Sequence, residues 1–233
     1  EQYMQFMNIS KTEREIVKNT KNLAEQRGFQ DISTKETLKV GDRIYWDNRG
    51  KSIYLAIIGK ENIENGVKII GAHGDSPRLD LKPNPLYEEE GLAFFKTHYY
   101  GGIKKYQWTT IPLAMHGIIV IPNGEKIEIN IGERPEDPIF TITDLLPHLA
   151  TEQMERKLKE GIRGEDLNLL IGSIPYEENI TEAVKLNIMN LLNEKYNITE
   201  IDFTSSEIEL VPAFEAKSSG LDKSMVAAYG QDD

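Results

Sequence analysis

One histidine and one aspartate in this chain have the spacing of a metal ligand and its supporting carboxylate. His73 and Asp75 flank a single glycine and directly follow an apolar run at 67–72. Residues i and i+2 of an extended chain point to the same side, so Asp75 can reach a ring nitrogen of His73. Such a carboxylate fixes the tautomer and orientation of a metal-bound imidazole. The spacing predicts a metal ligand at His73, and a solvated histidine and aspartate after a strand is the alternative that it leaves open.

Two further groups of acidic residues have carboxylate side chains that could bind a metal ion. Asp232 and Asp233 follow a glycine, and paired carboxylates beside a glycine suit a bridging metal ligand. A solvated tail is the other interpretation of this pair. The glutamates at 88–90 and 177–178 lie in proline-flanked or polar sequence, which is typical of solvated surface.

Composition excludes several other kinds of chemistry. The chain has 233 residues and no cysteine, so thiol catalysis and thiolate zinc sites are excluded. It has no Gly-x-Ser-x-Gly elbow and no phosphate-binding glycine loop. Its net charge of −11 argues against nucleic acid and anionic membranes as partners. No apolar run is long enough to span a membrane and no signal peptide is evident, so we expect a cytoplasmic protein.

The elements before His73 are predicted to form part of an α/β unit. A capping box at 10–13, with Ser10 as the N-cap, predicts a helix that follows it. Runs at 43–46 and 53–58 predict a hairpin. The continuous apolar run at 67–72 predicts a central strand covered on both faces. His73 would then lie at the carboxyl end of a buried strand, where open α/β sheets place their sites.

The character of the sequence changes after Asp75. Prolines at 77, 83 and 85 break the pattern and indicate a boundary. Beyond them the pattern predicts short strands and two helices, at 92–97, 113–121, 126–131, 139–142, 145–158, 180–196 and 208–211. We therefore predict an inserted unit at 80–213, and an outer unit composed of 1–79 and 214–233.

Several blocks in fixed order are similar to one known family. They are residues 70–77, with the His-Gly-Asp motif, and then 97–117, 146–150, 164–168, 207–212, 220–225 and 229–233. With these blocks, which extend over nearly all of its length, the chain resembles the aspartyl aminopeptidase and vacuolar aminopeptidase I family of zinc metallopeptidases, most closely its bacterial members. The match concerns the N-terminal half of such a protein.

The resemblance implies a fold, an activity and a set of site residues. The fold is α/β: an incomplete zinc-exopeptidase-like catalytic domain, with a mixed sheet and flanking helices, and an inserted β-rich α+β dimerisation domain. His73 would ligate one of two zinc ions, Asp75 would clamp its imidazole, and Asp232 would bridge the ions. His148 would reach the active site of a neighbouring subunit. Cobalt or manganese can substitute for zinc in such enzymes.

The family's order of residues also implies what this sequence lacks. A glutamate pair, a further acidic ligand and a final histidine follow the bridging aspartate in the family, and nothing follows Asp233 here. We expect a metalloaminopeptidase that releases N-terminal amino acids from peptides, assembles into dimers and dodecamers, and is inactive as this piece alone. The alternatives are an oligomerisation or scaffold module, and a related metal-dependent carboxypeptidase or deacylase.

Overall fold

The computed structural model describes residues 1–230 and divides the chain into two compact units. The first unit combines Glu1–Ser76 with the chain from Phe214 onward, and the second is Pro77–Ala213. The first boundary lies slightly before the position predicted from the sequence, and the second lies between 213 and 214. The assignment of the units as catalytic and dimerisation domains stays a prediction. None of the described helices is long and apolar enough to cross a bilayer.

The outer unit has two N-terminal helices and five short strands. They are α1 (Gln2–Ile9), α2 (Glu13–Gln26), β1 (Gln30–Asp31), β2 (Arg43–Asn48), β3 (Ser52–Ile57), β10 (Lys217–Ser219) and β11 (Met225–Ala227), numbered along the whole chain. The two chain pieces of this unit meet where the backbone N–H of Ala216 donates to Oδ1 of Asn8 at 2.6 Å, across 208 residues of sequence.

Helix α2 begins two residues later than the sequence predicted. Thr12, and not Ser10, is the N-cap, and its hydroxyl accepts from the backbone N–H of Glu15 while the Glu15 carboxylate accepts from the backbone N–H of Thr12. Both Ser10–Glu13 and Thr12–Glu15 match the capping-box pattern, so the pattern alone did not distinguish them.

The predicted hairpin is confirmed and forms most of a small mixed sheet. β2 and β3 pair antiparallel, β1 pairs parallel to β2, and β3 is the open edge. Tyr45 of β2 is 4% exposed, and its hydroxyl donates to Oε1 of Glu25 in α2 at 2.7 Å. This bond fixes the helix on one face of the sheet.

The predicted strand at 67–72 is absent from this structure. The segment has no strand assignment, and the side chains of Ile69 and Ile70 have 83% and 101% of their reference exposure. Its composition suits a strand covered on both faces, but no described strand pairs with it. The prediction of a buried central strand is therefore wrong for this chain.

The second unit is built around one antiparallel sheet of six strands in the order β7-β6-β9-β4-β5-β8. Its strands and helices are β4 (Arg78–Glu89), β5 (Leu92–Tyr100), β6 (Leu113–Val120), β7 (Lys126–Ile131), α3 (Thr151–Glu155), α4 (Leu158–Gly161), β8 (Leu169–Gly172), α5 (Ala183–Tyr196) and β9 (Ser206–Pro212).

Side chains alternate between the two faces of this sheet. Leu79, Leu210, Met115 and Ile131 stand opposite one another across β4, β9, β6 and β7, and all are buried. The next row along the strands points to the other face and is polar. It consists of His98, Asp80, Glu209, His116 and Asn130.

Two of the three prolines that indicated a boundary lie inside a strand, and the third, Pro77, begins the second unit. Pro83 and Pro85 belong to β4, which continues on both sides of them with a register shift between Leu81 and Leu86 against β5. Proline has no N–H to give to a ladder, so it is confined to edges and bulges such as this one. The change of unit occurs before these two prolines, at Pro77.

Glu88 is not simply solvated surface, as the sequence suggested. It lies in β4, and its Oε2 accepts hydrogen bonds from the backbone N–H groups of Val184 and Lys185, each at 2.9 Å. The N-cap residue of α5, Glu182, supplies no side-chain cap. A carboxylate from a strand that is distant in sequence therefore accepts from the backbone N–H groups that have no partner within the first turn of this helix.

Three other predicted elements differ in extent. The predicted strand at 139–142 consists only of isolated bridges at Phe140 and Thr141. The helix predicted at 145–158 is broken into a 3-10 turn at Pro147–Leu149 and the short helices α3 and α4. The segment 215–220, whose polar sequence is typical of a loop, contains strand β10, which pairs with β11 in a hairpin.

Candidate functional site

His73 and Asp75 are in contact, as their spacing predicted. Nδ1 of His73 lies 2.8 Å from the backbone oxygen of Asp75 and 3.4 Å from its Oδ1. Both side chains are a little more than one third exposed. An N–H at Nδ1 that donates to Asp75 leaves the lone pair of the imidazole on Nε2. In that tautomer Nε2 can bind a metal ion.

Helix α2 lies beside this loop. A Cβ atom at Gly74 would be 3.5 Å from Cγ2 of Ile16, which is ordinary van der Waals contact. Ile16 lies on the first turn of α2, where the capping box fixes the start of the helix. The N-terminal helix thus supports the backbone between the histidine and the aspartate.

The last described residues approach the same loop. A Cβ atom at Gly230 would lie 3.5 Å from the hydroxyl of Ser76, the residue after Asp75. Residues 71–76 and Tyr229–Gly230 both belong to the outer unit. Asp232, predicted to bridge two metal ions, and its neighbour Asp233 lie outside the described residues.

His148 lies on the second unit, on an exposed turn. It is the middle residue of the 3-10 turn Pro147–Leu149, and Leu146 and Leu149 beside it are 67% and 71% exposed. Leu149 also lines a cavity of about 360 Å³, in which the guanidinium groups of Arg156 and Arg163 are each paired with an acidic side chain. His148 is thus presented to solvent on an apolar turn, on a different unit from His73.

Sequence reasoning missed a group of charged residues on the polar face of the large sheet. Nε of Arg78 lies 2.8 Å from Oδ1 of Asp80 and 3.3 Å from Oε2 of Glu209, and the guanidinium stacks 4.2 Å from the centroid of the Tyr100 ring. The Glu209 side chain is only 2% exposed. Alternation of residues along β4 and β9 could have indicated a shared face, but the pairing of the two strands was not predictable from spacing.

His116 lies in the same polar row of the sheet, and its surroundings fit a structural role. Its side chain is 3% exposed, and Nε2 lies 2.9 Å from Oε1 of Glu133 in the loop after β7. Glu133 is 17 residues further along the chain, and no sequence pattern indicated that it would contact His116. This contact joins strand β6 to the loop after β7.

The sequence matches one family model over residues 6–233, that of the aminopeptidase I zinc metalloproteases (M18). Among curated relatives, a probable M18 family aminopeptidase 1 from Clostridium acetobutylicum is 53% identical over 100% of this chain and 51% of its own length. One from Thermotoga maritima is 50% identical over the same shares of the two chains. The chain thus spans about half the length of the curated relatives it matches.

Solved structures give the same result. An M18 family aminopeptidase from Thermotoga maritima is 49% identical and superimposes with a TM-score of 0.95 over 100% of this chain and 51% of that one. Aminopeptidase I from Borrelia burgdorferi is 47% identical, with a TM-score of 0.87 over 98% of this chain and 52% of that one.

These relatives are named aminopeptidases, which favours that class over the carboxypeptidase, deacylase and scaffold alternatives. The α/β fold expected from the sequence agrees with them at the level of architecture. Because a family model covers almost the whole chain and the fold is shared with solved members, the chain belongs to the aminopeptidase I zinc metalloprotease (M18) family.

Proposed function

We propose that this chain supplies the first part of the active site of a zinc-dependent aminopeptidase, which releases N-terminal amino acids from peptides. The observation that carries the proposal is the contact between His73 and Asp75, a histidine held by a carboxylate residue in the manner of a metal ligand. Membership of the M18 family supports it independently.

His73 would bind the metal through Nε2, and Asp232 would bridge two ions. The donor set fits zinc, because imidazole nitrogen and carboxylate oxygen are both usual zinc ligands. The approach of Gly230 to Ser76 supports this assignment, since the chain that leads to Asp232 runs beside the His73 loop. Zinc at such a site polarises the scissile carbonyl and lowers the pKa of bound water.

Asp75 would act as a positioning residue. Its backbone oxygen and its carboxylate both face Nδ1 of His73, so the N–H of the ring is held on that nitrogen. This arrangement keeps Nε2 deprotonated and oriented for the metal. Asp75 does not need to touch the substrate to have this effect.

We further propose that the chain alone is not a complete catalyst. Catalytic zinc sites take about three protein ligands. His73 is the one ligand of the proposed set among residues 1–230, and Asp232 follows them. The general base and the remaining ligands would come from the half of the family's length that this chain does not span.

Self-association is the second part of the proposal. His148 would enter the active site of a neighbouring subunit, because its exposed turn with Leu146 and Leu149 can be buried against another surface. A yeast aminopeptidase that shares the fold at 17% identity was solved as a dodecamer. Light scattering on the His148→Ala and Leu149→Asp variants measures the contribution of this turn to assembly.

Zinc binding tests the proposed site directly. Titration calorimetry of the chain should show a zinc site that the His73→Ala variant has lost. His98→Ala is the matched control, since His98 is also exposed but stacks on Tyr99 in the other unit. Equal zinc affinity in wild type and His73→Ala would contradict the proposed metal site. Aminopeptidase turnover by this chain alone, measured with aminoacyl-nitroanilides and added zinc, would contradict its incompleteness.

A further inference from the structure

The turn that carries His148 belongs to an exposed loop between two buried residues. Ile142 is 1% exposed and Ala150 is 4% exposed, while residues 143–149 between them are all exposed. The loop begins at a fixed point, because the backbone N–H of Thr110 donates to the backbone oxygen of Ile142 at 2.8 Å. The loop is therefore anchored in the second unit at its ends and has no buried residue in its middle.

An open cavity lies between this loop and the body of the second unit. It has a volume of about 360 Å³ and is lined by Leu145 and Leu149 from the loop and by Thr109 and Ile162 from the body. Close packing normally fixes the position of the groups in a protein interior. Because a cavity lies behind the loop, the orientation of His148 depends on polar contacts more than on packing.

Asp144 makes those contacts at the start of the loop. Its Oδ1 accepts from the backbone N–H of Leu145 at 2.8 Å and from Nε2 of Gln153 in helix α3 at 2.9 Å. Oγ1 of Thr109 lies 3.4 Å from its Oδ2 and 3.2 Å from the backbone oxygen of Tyr106, so this hydroxyl is shared between two acceptors. One carboxylate thus joins the loop, the helix that follows it and the body of the unit.

We infer that Asp144 is a positioning residue for His148. By joining both ends of the loop, its carboxylate holds the turn Pro147–Leu149 in one orientation before a neighbouring subunit binds. A side chain that is already ordered loses less conformational entropy on contact than a mobile one. The inference rests on the proposed function, in which His148 enters the active site of a neighbouring subunit, and Asp144 itself touches no substrate in this role.

The mobility of the turn tests the inference in this chain as it stands. NMR relaxation of the backbone amides should give His148 an order parameter of about 0.85, the value of a rigid backbone, and Asp144→Ala should lower it below about 0.6. Asp144→Asn should keep it near the wild-type value, because the amide oxygen of asparagine can accept the same two hydrogen bonds at Oδ1.

Two further variants separate the loop contacts from a general loss of stability. Gln153→Ala removes one partner of the Asp144 carboxylate, so it should increase the mobility of His148 in the same direction. Asp137→Ala is the matched control, since Asp137 also accepts from backbone N–H groups but in another loop of the same unit. It should leave the order parameter of His148 unchanged.

Turnover in mixed oligomers gives a readout that a purely structural role of Asp144 would not change. In a polypeptide that joins this chain to the second half of the Thermotoga maritima relative, Asp144→Ala should lower kcat/KM about tenfold, because a misplaced group loses the benefit of orientation. Co-production with His73→Ala subunits should restore turnover, since each of those subunits supplies an intact His148 turn to its neighbour. Co-production with His148→Ala subunits should not restore it.

The remaining outcomes overturn the inference. An order parameter of His148 that is unchanged in Asp144→Ala, or already low in the wild type, would show that Asp144 does not hold the turn. Equal recovery of turnover with His73→Ala and His148→Ala subunits would show that Asp144 does not act through His148. A joined wild-type protein without turnover rejects the proposed function, and the relaxation measurement still decides whether Asp144 positions the turn.

Discussion

The carboxylate of Glu88 lies 2.9 Å from the backbone nitrogen of Val184, 96 residues further along the chain, and so caps the start of helix α5 from a neighbouring strand. Loss of an N-terminal capping group typically costs about 1 kcal/mol. Glu88→Ala should therefore lower the unfolding temperature by about 2–4 °C, measured by circular dichroism or calorimetry. Glu89→Ala is the control because Glu89 is exposed, and an equal effect of both changes would show that the cap contributes nothing.

The hydroxyl of Tyr45 should titrate later than that of an ordinary tyrosine. Its hydrogen bond to Glu25 and its burial raise the pKa of Tyr45 to about 12. An unfolded tyrosine has a pKa of about 10, so the folded state holds the proton more tightly. The stabilisation is fully present below about pH 10 and is lost as the pH rises through 12.

Absorbance of the phenolate during a pH titration checks this expectation. Tyr45→Phe should remove the step near pH 12 and cost about 0.5–1.5 kcal/mol at neutral pH, the usual contribution of one hydrogen bond. Tyr54→Phe alters an exposed tyrosine on the adjacent strand, and it should change neither the titration step near pH 12 nor the free energy of unfolding. A late step that survives in Tyr45→Phe would assign it to another residue.

Gly117 is required by the close approach of two central strands. It has a φ of +147°, and a Cβ atom there would lie 2.0 Å from the carbonyl oxygen of Glu207 on β9. Gly117→Ala must push β6 away from β9, and we expect a loss of about 3 kcal/mol or more in the free energy of unfolding. The measurement is urea denaturation monitored by tryptophan fluorescence.

Gly124→Ala is the matched control for that change. Gly124 also has a positive φ, but no heavy atom lies within 4 Å of its added Cβ. We expect a cost of about 1 kcal/mol, from the left-handed backbone alone. If the two alanines cost the same, steric contact at Gly117 is not what the glycine provides.

Asp75→Asn should weaken zinc binding without removing the ligand. Outer partners of metal-bound histidines typically contribute 10–100-fold in affinity. The asparagine side chain has nearly the same size and shape, but its amide can present its N–H₂ to Nδ1 and favour the wrong tautomer of His73. Calorimetric titration with zinc should show about a tenfold or greater loss, while Glu64→Gln, an exposed carboxylate of the same unit, should bind as wild type. Unchanged affinity in Asp75→Asn would show that the carboxylate does not position the ring.

Local patterns predicted the elements that depend on neighbours in sequence. The β2–β3 hairpin, helix α2 and the contact of His73 with Asp75 are set by periodicity, capping residues and an i, i+2 spacing, and all three are present. The pattern at 67–72 failed for the opposite reason, because a covered strand needs partners that only tertiary structure supplies.

The long-range polar contacts could not be predicted from the sequence, because they too depend on partners that only tertiary structure supplies. Glu88 looks like one of three surface glutamates until strand β4 brings it to α5. Glu209 looks like an ordinary strand residue until Arg78 lies beside it. Pro83 and Pro85 indicated a boundary between units. They are tolerated inside β4 because of a register shift that no local pattern shows.

The hydrogen bond from Ala216 to Asn8 has a consequence for biosynthesis. At about 5–20 residues per second, the ribosome needs about 10–40 s to make the 208 residues that separate the two. During that time helices α1 and α2 have emerged without the strands that complete their unit. Pro77–Ala213 is continuous in sequence and can finish folding first. The outer unit is therefore the first to leave the ribosome and the last to close, with its N-terminal helices available to chaperones in the interval.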